Sequence, residues 1–245
     1  SKYLDSRLEK EDSFLLYRYM DTTYVDELDK LYLKSNGWMN DIYEGLPKTD
    51  VSIEAIKEIL PRIKQWMYLK CFTESYDNNL MWAHYANHSR GICVEYDITK
   101  LKQNNNKTLE LFPVVYKKER MLGIELNELA DCLNNIIEED WVSDTRGVFI
   151  QKDFIWKYEK EWRIILNEKL ACEYKLEKVK DMYIIKYPCI SAIYLGVDIR
   201  KEDSEKILKL YGKNVPIYQM GIDNETYNLY ASLVNECILK EGNYG

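Results

Sequence analysis

The chain reads as an α+β protein, and three observations predict that class. Strand-like and helix-like windows alternate irregularly, without a βαβ rhythm. No glycine-rich phosphate loop joins a strand to a helix. The 245 residues are 46% hydrophobic, enough to bury a sizeable core. No linker rich in Pro, Gly or Ser and no internal repeat divides them. We therefore expect a single domain over residues 1–245. Its expected architecture is mixed and antiparallel sheets split by a central cleft, with helices packed on them.

The elements follow from local pattern. Residues 15–19, an apolar-aromatic run ending Tyr17, Arg18 and Tyr19, predict a strand. Thr22 or Thr23 can cap a short helix carrying Val25 and Leu28. Asn36-Gly37 and Asn40-Asp41 are turn signals. Asp50 begins a helix with Ile53, Ile56, Ile59, Leu60 and Ile63 on one face, bent or shortened by Pro61. Residues 67–73 predict a strand. Asn78 can cap a helix running to about Asn87. Residues 91–97 and 111–116 predict strands, with a polar loop at 103–107 between them. Residues 119–140 carry Leu122, Leu126, Leu129, Leu133 and Ile137 at helical spacing. Strands are expected at 159–166, 182–187 and 192–197. A helix over 203–211 should close at Gly212. Residues 215–220 and 226–230 look like a closing strand pair.

Composition excludes several function classes. The apolar content is too high for a disordered tail, and 10 glycines exclude a collagen-like chain. No run approaches 18 consecutive apolar residues, so no bilayer-spanning segment is expected. Residues 1–10 are half charged and do not resemble a secretory signal. The net charge of -7, with no basic stripe, gives no nucleic-acid signature. The six cysteines contain no CxxC pair, the closest two lying 17 positions apart. They read as reduced thiols in a cytoplasmic protein, and a zinc ribbon is excluded. The unusual count is 21 Tyr against 5 Phe. A tyrosine hydroxyl wants a polar partner when buried, as in clefts and interfaces.

Two constellations could carry chemistry. His84 and His88 are the only histidines, and a helix would put them on one face. No third metal ligand stands at a diagnostic spacing, so we expect no metal. His84 is instead expected on a buried aromatic helix, structural or orienting a substrate. Residues 159–166 are more informative. Strand alternation puts Glu159, Glu161 and Arg163 on one side, and Trp162, Ile164 and Leu166 in the core. The charged side is either a solvated face with an Arg–Glu pair, or a cleft where a carboxylate acts on a sugar or a proton. Arg18 lies opposite Tyr17 and Tyr19 on its strand. Thr73 and Ser75 end another, and Glu95 and Asp97 share a face of a third.

These motifs together resemble an uncharacterised bacterial family, domain of unknown function 2971. The matching pieces are Tyr17-Arg18-Tyr19, the turn from Met39 to Gly45, Cys71-Phe72-Thr73, the helix from Met81 to Ala86, the strand from Gly91 to Asp97, Tyr158 to Arg163, and Ile193 to Gly196. The turn departs from the family pattern, with Met39 and Ile42 where Phe and Pro are usual. The arrangement is also similar to the ADP-ribosyltransferase superfamily. Those folds place an Arg or His on an early strand, a hydroxyl or Tyr on a middle element, and a Glu on a later strand. That similarity implies Arg18, His84, Glu159 and Glu161 as catalytic residues, and Tyr17, Tyr19, Thr73, Ser75, Trp82 and Tyr85 as cofactor-binding ones. A carboxylate facing the ribose would stabilise oxocarbenium character as the nicotinamide bond breaks.

Three functions follow as expectations. The first is an NAD-using transferase or glycohydrolase, a toxin or phage-defence effector with a macromolecular acceptor, in which Arg18 and Glu161 face one cleft. The second is a metal-assisted hydrolase or nuclease using Glu95, Asp97, Glu159 or Glu161 with His84. The third is a non-catalytic nucleotide-sensing or interaction module. The windows 14–20, 38–45, 71–97 and 154–166 hold four of six Trp and both His, but only seven of 21 Tyr. The tyrosine excess is therefore mostly general. The sharper subset is Tyr17, Tyr19, Trp82, Tyr85, Tyr158 and Trp162.

Overall fold

A computed structural model describes residues 13–35, 67–104, 109–119 and 149–235. The turns at 36–41, the motif at 39–45, the helices expected from Asp50 and over 119–140, and most of the 103–107 loop lie outside the described residues.

The strands in chain order are β1 (Leu15–Met20), β2 (Lys30–Ser35), β3 (Met67–Thr73), β4 (Ile92–Asp97), β5 (Leu111–Pro113), β6 (Val115–Lys117) and β7 (Gln151–Asp153). They continue as β8 (Glu161–Asn167), β9 (Glu177–Val179), β10 (Met182–Lys186), β11 (Ile190–Leu195), β12 (Ile217–Ile222) and β13 (Leu229–Leu233). The described α-helices are α1 (Asn79–Tyr85), α2 (Ile98–Asn104), α3 (Glu168–Glu173) and α4 (Lys201–Tyr211). Thr22–Glu27 and Phe154–Glu159 are 3-10 turns. The class is α+β, with mixed sheet pairing. None of the described helices is long and apolar enough to cross a membrane.

The chain divides into two compact units. Among described residues, the first takes 32–35, 67–71, 109–119 and 149–185. In it β8 pairs antiparallel with β5, matching Phe112 to Arg163 and Pro113 to Trp162. β9 and β10 form a hairpin, and β6 runs parallel to β7. Met67, Leu69, Phe149 and Ile165 make a core cluster, with Phe112 and Ile150 packed against it.

The second unit takes 13–31, 72–104 and 186–235. Its strands lie in the order β13-β12-β11-β4-β1. All neighbours are antiparallel except β11 and β12, which run parallel on either side of α4. One βαβ connection is therefore present where the sequence suggested only a closing strand pair. Every residue of β4 is buried, so it is a central strand. Asp21, rather than Thr22 or Thr23, caps the 3-10 turn, its side chain accepting the Thr23 N–H at 2.8 Å. Asn78 caps α1 as expected, accepting from the N–H groups of Leu80 and Met81.

Candidate functional site

Strand register builds the main constellation, in the second unit. Tyr17 stands opposite Glu95, and Tyr19 opposite Cys93. Across β4, Cys93 stands opposite Tyr194, which in turn neighbours Tyr218 on β12. Thr73 pairs with Tyr17. Residues directly opposite share a face, so Tyr17, Tyr19, Thr73, Cys93, Glu95, Tyr194 and Tyr218 line one side of the sheet. Leu16 and Arg18 point the other way, where the Arg18 charge acts on buried Tyr96.

Glu95 is the centre of that face and is only 8% exposed. Ser191 donates its hydroxyl to Oε1 at 2.7 Å, and Tyr194 donates to Oε2 at 2.8 Å. Tyr17 stands opposite Glu95, close enough for the carboxylate's charge to act on its hydroxyl. Burial, reinforced by the Glu95 charge, pushes the Tyr17 and Tyr194 hydroxyls well above the usual phenol range. Both therefore stay protonated, and Tyr194 donates. The rings form a layered group. Tyr76 stacks on Tyr194 at 4.2 Å and 8°, and Tyr194 stacks on Tyr218 at 5.1 Å and 15°. Tyr17 tilts against both Tyr76 and Tyr194, at 5.6 and 6.1 Å. Tyr17, Tyr76 and Tyr218 are half-buried, so the stack reaches the surface.

The helix α1 closes one end of this face. Trp82 meets Tyr19 edge-on at 5.1 Å and donates its indole N–H to the Tyr76 carbonyl at 2.7 Å. The Tyr19 hydroxyl donates to the Ser75 carbonyl at 3.0 Å, and the Ser75 hydroxyl bonds Asp77. The same region corrects the histidine expectation. α1 ends at Tyr85, and Asn87, His88 and Ser89 take left-handed φ values of 47°, 55° and 64°. His84 and His88 therefore do not share a helical face, and both are exposed rather than buried. His84 lies edge-on to half-buried Tyr85 at 6.3 Å. Three successive non-glycine residues in this region are strained and must be held from outside. Backbone bonds from Ser89 N–H to Trp82 O, Gly91 N–H to Ala86 O and Asp198 N–H to Ser89 O hold them. A Cβ on Gly91 would stand 2.2 Å from the Met20 carbonyl oxygen, and one on Gly196 2.1 Å from that of Ser89. Close backbone approach is thus why the strand motif begins with Gly91 and the Ile193–Gly196 motif ends with glycine.

The charged motif lies in the first unit. Glu161 and Arg163 share a face of β8 as expected, and Arg163 clasps Glu161 with Nε to Oε1 at 2.9 Å and Nη2 to Oε2 at 2.8 Å. Two corrections follow. Glu159 is not on the strand: it ends a 3-10 turn, and Lys160 at φ 43° breaks the alternation. The charged side is not solvated either. Every residue of β8 is buried, with Arg163 at 0% exposure. The motif is a closed network. Lys152 on β7 bonds Glu159 at 2.6 Å and Glu161 at 3.3 Å, and its ammonium lies 4.8 Å from the Trp156 ring centre. Arg163 also donates to the Phe149 carbonyl at 2.5 Å, and Tyr116 accepts the Glu161 N–H at 2.7 Å. Burial alone would raise the Glu161 carboxyl. The charges of Arg163 and Lys152, with hydrogen bonds from Arg163 and Cys71, outweigh it and hold the group at about 2.

The expected site residues therefore fall into groups. Tyr17, Tyr19, Thr73, Ser75 and Trp82 gather in the second unit, with Tyr85 at the end of α1. Arg18 belongs to the same unit on the opposite sheet face. Glu159 and Glu161 meet in the first unit. Asp97 shares the Glu95 face but serves as a cap, accepting the Lys100 N–H at 3.0 Å and pairing with its ammonium at 3.0 Å. Sequence reasoning missed Ser191 and Tyr194 as partners of Glu95, Tyr76 and Tyr218 as rings stacked on Tyr194, and Lys152 and Tyr116 as partners of Glu161. Strand alternation around Glu95, and the tyrosine inside the Ile193–Gly196 motif, were the available signals. Among the described residues no group of three or more His, Cys, Asp or Glu is placed to hold a metal ion.

The model of a family described as "Protein of unknown function (DUF2971)" matches residues 81–164. The matched stretch includes α1, the Gly91–Asp97 motif and the Glu161-Trp162-Arg163 motif, whose structural reasons are given above. No curated protein and no solved structure matches the chain.

Proposed function

We propose that the second unit binds a small ligand with a planar ring, of the nucleotide class, on the face built around Glu95. This is the module reading, with recognition placed ahead of turnover. The observation that carries it is the hydroxyl-ringed Glu95 carboxylate beneath a stack of tyrosines that reaches the surface. Aromatic walls with a few convergent polar groups suit a planar ligand. Transfer chemistry on Glu161 is less favoured. A carboxylate that stabilises a ribosyl cation must face the reacting carbon, and both oxygens of buried Glu161 are engaged by Arg163. NAD remains a candidate ligand of this class, alongside other nucleotides.

Calorimetric titration of the full chain with NAD, ADP-ribose and ATP tests the proposal. At least one should bind at millimolar concentration or below, and Tyr194→Phe together with Tyr17→Phe should weaken it. Heat traces flat for all three would remove the proposal. Nicotinamide release from NAD by the wild type would instead support the transferase reading.

A further inference from the structure

Four acidic side chains are buried among the described residues: Glu95, Asp97, Glu159 and Glu161. Three of them have a cation at hand. Asp97 pairs with Lys100, Glu159 with Lys152, and Glu161 with Arg163 and Lys152. Glu95 differs, because its hydrogen-bond partners are the neutral hydroxyls of Ser191 and Tyr194, and no Lys, Arg or His among the described residues pairs with it. Glu168 of the first unit also accepts from hydroxyls, those of Tyr68 and Tyr183, but there Lys178 completes the group at 2.5 Å.

Hydroxyl donors satisfy lone pairs without cancelling charge. A buried carboxylate left with its full charge is costly, and the cost is relieved by any cation brought beside it. The surrounding rings push in the same direction, since an aromatic face is itself negative and attracts a cation. The number of donors also bears on the kind of cation. An ionised carboxylate has about four lone-pair sites, and the Ser191 and Tyr194 hydroxyls already hold both oxygens. A cation rich in N–H groups would have to compete for them. One whose charge is spread over a ring or over alkyl groups needs only the field and the aromatic surface.

We propose that the Glu95 face selects a cationic group without N–H donors, of the pyridinium or quaternary ammonium class. The inference rests on the ring-binding reading of the same face and adds the sign of the charge on the bound group.

The test compares N-methylpyridinium with toluene, its neutral isostere, by ligand-observed NMR on the full chain. N-methylpyridinium should bind about tenfold more tightly than toluene. Glu95→Gln should bring the two to near parity while leaving toluene binding unchanged. If Glu95→Gln does not fold by circular dichroism, Tyr218→Leu, which removes one half-buried ring and leaves Glu95 intact, should weaken N-methylpyridinium binding. Equal binding of the two probes to the wild type would overturn the charge preference. So would a preference that survives Glu95→Gln or, where that variant is unfolded, N-methylpyridinium binding that Tyr218→Leu leaves unchanged. If nucleotides bind while the probes show no preference, only the charge inference fails. If neither nucleotides nor probes bind, the ring-binding reading fails with it.

Discussion

At the scale of single residues, the two glutamate centres behave oppositely because their partners differ. Glu161 is a closed ion pair within a balanced group of two cations and two anions. Removing one partner of such a group leaves a charge buried without compensation. Glu161→Gln should therefore destabilise the fold by about 3–5 kcal/mol, measured by denaturant unfolding. A loss under about 1 kcal/mol would fit an exposed pair instead. The same centre sets a pH response. The Glu161 carboxyl is held near 2 in the folded protein, below its ordinary 4.5. A depressed folded value means the unfolded chain takes up the proton first as pH falls. The stabilisation is thus complete above pH 4.5 and is lost as pH drops from 4.5 towards 2. An acid titration followed by circular dichroism should show this loss, and the Glu161→Gln variant should lack that component.

At the scale of elements, β8 shows what local pattern does and does not encode. One of its two buried sides was legible from alternation: Trp162, Ile164 and Leu166 are all buried, Trp162 at 2% exposure. Trp162→Ala should cost about 3–5 kcal/mol, read from the denaturation midpoint at unchanged slope. β1, β3, β4 and the Asn78 cap were legible for the same reason, because their signals lie within a few residues. The rest of the site depended on distant partners. Nothing near Arg163 announces Lys152, which reaches the network from a three-residue strand too short to show a period. Lys160 carries no glycine or asparagine signal for its left-handed backbone, so Glu159 looked like part of the strand. Asn87 tolerates a left-handed backbone by itself, but the run through His88 and Ser89 is held by the backbone bonds from Gly91 and Asp198. Tyr194 and Tyr218 come together because β11 and β12 run parallel, and alternation within a strand does not reveal the direction of its neighbour.

At the scale of the whole molecule, each unit is assembled from separated stretches of chain. The second unit depends on residues after 185 for half of its central pairing: β4 meets β1 on one side and β11 on the other, from Ile190 opposite Tyr96 to Leu195 opposite Ile92. A chain ending at residue 185 would keep β1 and β4 but lose β11, β12 and β13. Ile92, Cys93 and Val94, all at 0% exposure, would then sit on an open edge with unpaired N–H and C=O groups. Such an uncharged apolar edge invites pairing between molecules. It would also lose Ser191 and Tyr194, the two hydroxyls that donate to Glu95. The 1–185 chain should therefore lose the near-ultraviolet circular dichroism of the tyrosine stack and scatter light as it associates. The full chain should do neither under the same conditions. A monodisperse 1–185 chain with that signal intact would mean that β4 does not depend on β11. It would also mean that the Glu95 face is held together by something other than the parallel strand pair behind it.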